Sequence, residues 1–202
     1  MQFHSCTYRV LRWISTEQSA GNSVDVTCAE TKLTEFWSES GPFDHAYGGF
    51  YWENAKTMVS LAVNHLAKVG TPCPLPTWKV QLKTGCVQVV PDFLVEDAKN
   101  FPIVIRFRTG RPTSGESEKD IYAIYQTAVE KASSGKGKVK IYYLSTGETE
   151  EVNMTDKKLS TRLNRYEKAM MEIAAGLFPP KIDEWSCPRC PHYFVCPAGE
   201  MS

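Results

Sequence analysis

The sequence predicts a mixed α/β core with helices on its flanks. Three observations predict it. Between Tyr51 and Val69, apolar residues recur at Ala55, Met58, Val59, Ala62, Leu66 and Val69, the spacing of a helix with one buried face. From Trp78 to Arg108 the pattern changes to alternating, β-branched runs, read as three strands at Trp78–Leu82, Cys86–Val95 and Pro102–Arg108. A second amphipathic stretch, Glu118–Ser133, then leads to a strand at Val139–Leu144.

The remaining elements follow in order. Phe3 to Trp13 reads as a short helix carrying Cys6, whereas residues 16–49 mix Ser, Thr, Gly and charge and carry no assignment. Gly70 and Pro72 stop the helix that begins at Tyr51. Lys83-Thr84-Gly85 and Glu96 to Phe101 read as turns between the strands. Gly135 to Gly137 is a loop, and Thr149 to Asn153 is a further strand. Asp156 is a candidate N-cap for a long helix ending near Gly176, after which Pro179 and Pro180 lead into a cysteine-bearing tail.

Length and charge set the outer bounds. With 202 residues and 42% apolar content the chain suits one domain over 1–202, with 51–176 as the α/β core. Lys+Arg and Asp+Glu balance at 23 each, so any surface for an anionic partner must be local. No run of about 18 apolar residues is present, so no membrane span is expected. Arg9 and Arg12 interrupt the apolar residues near the N-terminus, which does not read as a signal peptide. Seven cysteines without a secretory signal point to a reducing, cytoplasmic compartment.

The tail carries the densest chemical signal. Cys187, Cys190 and Cys196 fall in one short stretch, each followed by proline. Proline fixes φ and removes a donor, so the backbone bends at every cysteine and several sulfurs can aim at one point. The bland reading is a set of reduced thiols; the functional one is a metal or iron–sulfur ligand set lacking one member.

That order of elements, with those cysteines, resembles the RecB-type nuclease domains of the PD-(D/E)XK superfamily, closest to the iron–sulfur branch. This branch includes the AddB nuclease domain, CRISPR-associated RecB-like exonucleases and nuclease domains fused to UvrD-type helicases. The resemblance implies that Cys6, in Ser5-Cys6-Thr7, joins Cys187, Cys190 and Cys196 around a 4Fe-4S cluster, stapling residues 1–15 to 180–202. Thr7 stands where the family usually has proline. Cys28 is the second candidate for the fourth ligand, and zinc on the same thiolates is the alternative cofactor. Cys73 and Cys86 read as ordinary thiols.

The resemblance also implies a catalytic pattern, and this sequence departs from it. The family holds Mg²⁺ or Mn²⁺ between a carboxylate on one strand and a carboxylate-x-lysine on the next. Val90-Pro91-Asp92-Phe93-Leu94 supplies the first carboxylate, Asp92. Where the family typically reads Asp-x-Lys-Thr-Gly, this chain has Arg106-Phe107-Arg108-Thr109-Gly110. Residues i and i+2 share a strand face, so Arg106 and Arg108 should both point where the metal would sit, with Ile105 and Phe107 toward the core. Arginine has no acceptor atom and stays protonated; it repels a cation rather than binding it. The usual His before the first strand falls at Trp52 or Glu53, and the Gln-x-x-x-Tyr helix motif keeps only Tyr125, with Ile121 in place of Gln.

The expectation is therefore a degenerate RecB-like nuclease domain, not an enzyme, that binds DNA through Arg106, Arg108 and Tyr125 or scaffolds a DNA-processing complex. By resemblance the partners are a helicase or nuclease subunit, or a fused helicase domain, in DNA repair or antiviral defence. Lys136, Lys138 and Lys140 would extend a basic rim, although a solvated turn is the plainer reading. One alternative is an active, Mg²⁺- or Mn²⁺-dependent DNA exonuclease with relocated carboxylates, drawing on Glu53, Glu116, Glu118 or Asp120. In that case Arg108 stands in for the lysine. The plainer reading of Glu118 and Asp120 is a match to a helix dipole. A third alternative is a structural protein-interaction module. His65 reads as the edge of an amphipathic helix and His192 as a polar residue of the cysteine loop.

Overall fold

The computed structural model describes residues 2–177 together with 182, 183, 187, 190 and 196. Three helices come first: α1 (Gln2–Ser19), α2 (Val26–Ser40) and α3 (Gly48–Val69). Five strands follow, β1 (Thr71–Pro72), β2 (Trp78–Gln81), β3 (Cys86–Val89), β4 (Phe93–Glu96) and β5 (Pro102–Arg108). A 3₁₀ turn at Glu116–Glu118 leads into α4 (Asp120–Ala132), then β6 (Lys138–Tyr143), β7 (Glu148–Val152) and α5 (Asp156–Ala174). The mixed sheet flanked by helices is the predicted fold class.

The first two helices differ most from expectation. α1 runs on to Ser19 because Val10, Leu11, Ile14 and Ser15 continue its buried face. α2 occupies part of the unassigned segment. Its start is fixed by Asp25, whose carboxylate accepts the Cys28 N–H at 2.7 Å. Ala29, Leu33 and Trp37, four residues apart, then form its buried stripe. That stripe is a legible helical signal, diluted by the Thr, Glu, Lys and Ser of the outer face.

The run Cys86–Val95 is two strands rather than one. Pro91 cannot donate to a ladder, and the chain changes partners there. β3 pairs antiparallel with β2 in a separate hairpin, whereas β4 pairs with β5 and β1. The main sheet has the order β1-β4-β5-β6-β7. Within it β5 and β6 are parallel, joined through α4, and the other pairs are antiparallel.

Alternation along the strands sends successive side chains into two cores. Phe93, Val95, Ile103, Ile105 and Phe107 pack with α1, α2 and α3. Leu94, Val104, Val139, Ile141 and Tyr143 pack with α4 and the β2–β3 hairpin. α5 has no fully buried side chain; Leu159, Leu163 and Tyr166 lie partly buried against the second core. Polar contacts complete its attachment. Glu167 accepts the N–H of Lys83 and of Thr84 in the hairpin turn, and Lys158, Arg162 and Arg165 pair with Glu118 and Asp120. Among the described residues no helix is long and apolar enough to cross a membrane.

Candidate nucleic-acid interface

The candidate site is built at the C-terminal end of β5. The pairing of Phe93 with Ile105 places Asp92 opposite Arg106, one step beyond the last ladder pair of β4. There Arg106 Nη1 donates to Asp92 Oδ1 at 2.9 Å, and the Phe107 N–H donates to Oδ2 at 3.1 Å. Arg106 also donates to the Tyr125 hydroxyl and lies over its ring, 4.6 Å from the centroid. Tyr125 OH in turn donates to the Val90 carbonyl at 2.8 Å. Both hydrogen bonds of Arg106 use Nη1, so Nε and Nη2 have no hydrogen-bond partner among the described residues.

The electrostatics follow from this packing. Burial pushes the Asp92 carboxyl above its ordinary value, with the Arg106 guanidinium and the Phe107 N–H pulling the other way. Burial also pushes the Tyr125 phenol up to about 12, so it remains a donor.

Arg108 turns to a different acid. Its Nε lies 3.2 Å from Oε1 of Glu116, whose side chain is 4% exposed. Lys119 and the Tyr122 hydroxyl also donate to Glu116. Burial alone would raise Glu116, but those hydrogen bonds and the charge of Arg108 outweigh it and hold the carboxyl below its ordinary value.

An open cleft of about 540 Å³ lies over these groups, and its charged lining is Arg12, Arg106, Arg108 and Asp92. α1 forms one wall. Tyr8 OH donates to the Phe107 carbonyl at 3.0 Å, which holds the helix against β5, and Arg12 stands one turn further along. Arg12 is exposed and makes no side-chain hydrogen bond or ion pair among the described residues. Sequence reading missed it, because nothing local marks an arginine on the exposed side of a helix. The signal available was the i, i+4, i+8 spacing of His4, Tyr8 and Arg12.

Several expected site residues lie elsewhere or act differently. Tyr125 is buried and covered by Arg106, so it braces the arginine and offers no face to a base. Glu53 is exposed on α3, pairs with Lys56 and is not part of the cleft lining. Glu118 and Asp120 fasten α5. Trp52 packs edge-on against Trp37. The lysine loop belongs to the opposite end of the sheet: Lys138 is registered with Ile103, whereas Arg108 is registered with Tyr143. Five residues of strand separate those levels, about 16 Å. His65 stacks on Tyr142 with centroids 3.8 Å apart, and burial lowers it to about 4.

The cysteines are only partly in view. Cys6 is buried, its thiol 3.6 Å from both the Phe36 carbonyl and Ser40 Oγ at the end of α2. Cys187 Sγ accepts the Asp183 N–H at 3.2 Å, and the Cys190 N–H donates to the Cys187 carbonyl at 3.1 Å. Among the described residues, no three His, Cys, Asp or Glu side chains gather as a metal-binding group. Cys28 is exposed at the start of α2, and His192 lies outside the described residues.

Comparison with known proteins gives the family. The search of curated proteins finds no match. A solved structure described as "Crystal structure of SSO0001" aligns over 96% of this chain and 95% of its own, at 16% identity and a TM-score of 0.38. The family model of the PD-(D/E)XK nuclease superfamily matches residues 2–197. The chain belongs to the PD-(D/E)XK nuclease superfamily.

Proposed function

We infer that this chain is a non-cleaving member of its superfamily that holds a nucleic-acid strand by its phosphates. The observation that carries the reading is the Asp92–Arg106 pair. The resemblance puts a second metal-binding carboxylate where Arg106 stands, and here a guanidinium occupies the oxygen of Asp92 that would face it. The other oxygen accepts the Phe107 N–H. The nearest further acid, Glu116, is committed to Arg108, Lys119 and Tyr122. This donor set does not fit Mg²⁺ or Mn²⁺, which require oxygen ligands without a competing cation. It fits an anion: the charged lining of the cleft is three arginines and one aspartate. Relocation of a carboxylate to Glu53 has no support, given its pairing with Lys56 outside the cleft.

The cysteines add a second part. Cys187, Cys190 and Cys196 have the donor chemistry for an iron–sulfur cluster or zinc, and Cys6 is the fourth thiol that the resemblance implies. A bound cluster would supply a link between the chain's two ends. DNA, and a helicase or nuclease subunit that delivers it, are the partners this reading favours.

The test is cleavage and binding of labelled DNA by anaerobically purified protein with Mg²⁺ or Mn²⁺, beside Arg106→Ala and Asp92→Ala. The expected result is salt-sensitive binding that Arg106→Ala weakens, without cleavage. Cleavage that Asp92→Ala abolishes would overturn it. Iron and sulfide analysis of the same preparation decides the cofactor: iron with sulfide supports a cluster, stoichiometric zinc replaces it, and neither removes it.

A further inference from the structure

A second surface begins beside the cleft, just past Arg108. Thr109, the next residue, shares a 2.9 Å hydrogen bond between its Oγ1 and Nδ1 of His4. From His4 a run of rings continues along the surface. Phe3 touches His4 and stacks on Tyr51, with centroids 5.5 Å apart. Tyr51 contacts His45 and Phe50, and His45 contacts Tyr47. At the far end Tyr47 and Phe50 are 65% and 67% exposed. Tyr47 is the residue just before α3 and Phe50 lies in its first turn.

The composition of this surface argues for its occupant. Two large aromatic side chains this exposed, each at the edge of one connected group of rings, are unusual on a surface that binds nothing. From Gly41 to Trp52 the chain contains no Leu, Ile, Val or Met, the residues of a general apolar docking face. It offers flat rings, and the His4–Thr109 hydrogen bond ties their near end to the residue that follows Arg108, which lines the cleft with Arg12 and Arg106. On α1, His4, Tyr8 and Arg12 run for about 12 Å between the two regions. Cations that track a backbone, followed by rings that accept bases, make up a platform for unpaired nucleotides. A duplex keeps its bases stacked on each other and has no face to give those rings.

We propose that Tyr47 and Phe50 stack the bases of a single nucleic-acid strand whose phosphates lie on Arg12, Arg106 and Arg108. The ligand class of the cleft is therefore single-stranded nucleic acid. This assignment rests on the phosphate-binding reading above, and the experiment separates the two. Anisotropy titrations compare an oligothymidylate of about 15 nucleotides, an abasic strand of the same length and a duplex. The proteins are wild type, Tyr47→Ala with Phe50→Ala, and Arg12→Ala.

Wild type should bind oligothymidylate about ten-fold or more tighter than the abasic strand. The aromatic double variant should close that gap without changing abasic or duplex binding, and Arg12→Ala should weaken all three. Both aromatic positions are exposed, and an unchanged melting temperature confirms that the variant folds. Two results overturn the stacking assignment while leaving phosphate binding intact: equal wild-type affinity for thymidylate and abasic strands, or a gap that survives the double variant. Dimerisation lost in the double variant with strand binding unchanged overturns it in favour of a face between protein copies. Absence of binding to any probe overturns the phosphate-binding reading itself.

Discussion

Asp92 and Glu116 each meet an arginine of β5, and they meet it differently. Asp92 sits at the cleft floor with its side chain 26% exposed, accepting from one guanidinium and one backbone N–H. Glu116 sits in the 3₁₀ turn, almost fully buried, with Arg108, Lys119 and Tyr122 around it. The second is an internal fastening: its donors come from β5, from its own turn and from α4. The first stands where the resemblance implies a catalytic pair, and two guanidinium nitrogens of its arginine have no hydrogen-bond partner among the described residues. The same pairing of residue types is structural where it is enclosed and a candidate for recognition where it lines a cleft.

The sharpest test of that contrast converts the cleft pair alone. Arg106→Asp with Arg108→Lys rebuilds the pattern expected of an active relative. It should yield Mg²⁺-dependent cleavage on the order of 100-fold or more above the wild-type background in a labelled-strand assay. If cleavage stays at background while the variant folds and binds DNA, the site has lost more than its second carboxylate.

Stability should rank the pairs the other way. Glu116→Ala strips three donors of their acceptor, including the buried Tyr122 hydroxyl, and should cost about 1–3 kcal/mol in urea denaturation. Arg106→Ala should cost less, about 1 kcal/mol, yet weaken strand binding more. A Glu116 variant that loses binding but not stability would break the comparison.

Acid titration should separate them by sign. Glu116 lies below its ordinary value of 4.5, so its stabilisation is present above that pH and is lost as pH falls through its folded value. Asp92 lies above its ordinary value of 3.8, so its contribution is present below that pH and is lost as pH rises through its folded value. Melting curves between about pH 3 and 6 should therefore show Glu116→Gln flattening the acid-side loss of stability and Asp92→Asn steepening it. The smallest effect on the fold belongs to Arg12→Ala: an unchanged melting temperature, and a salt dependence of strand binding lower by about one in log–log slope.

What could be read beforehand follows how locally each feature is encoded. The directions of Arg106 and Arg108 were legible because both sit in β5, where alternation puts i and i+2 on one face. α3, β5 and α4 were likewise legible from local periodicity. The division at Pro91 was visible as a residue but not as an event, since only pairing shows that β3 and β4 belong to different sheets. α2 was hidden by its polar outer face. That the Tyr125 ring is buried under Arg106 was not legible, because burial of its ring is a tertiary fact. Arg12 needed the helix to be laid beside β5 before it meant anything, and the lysine loop needed the parallel register of β5 and β6 to show how far away it lies.

The Tyr125 hydroxyl has a mechanical consequence. It donates to Val90 in the short connector between the hairpin and the main sheet, and it receives Arg106 from the cleft floor. One oxygen thus acts as a latch shared by a joint and a sensor. Load applied to the hairpin through α5, which grips its turn by Glu167, reaches the same atom that sets the aim of the guanidinium.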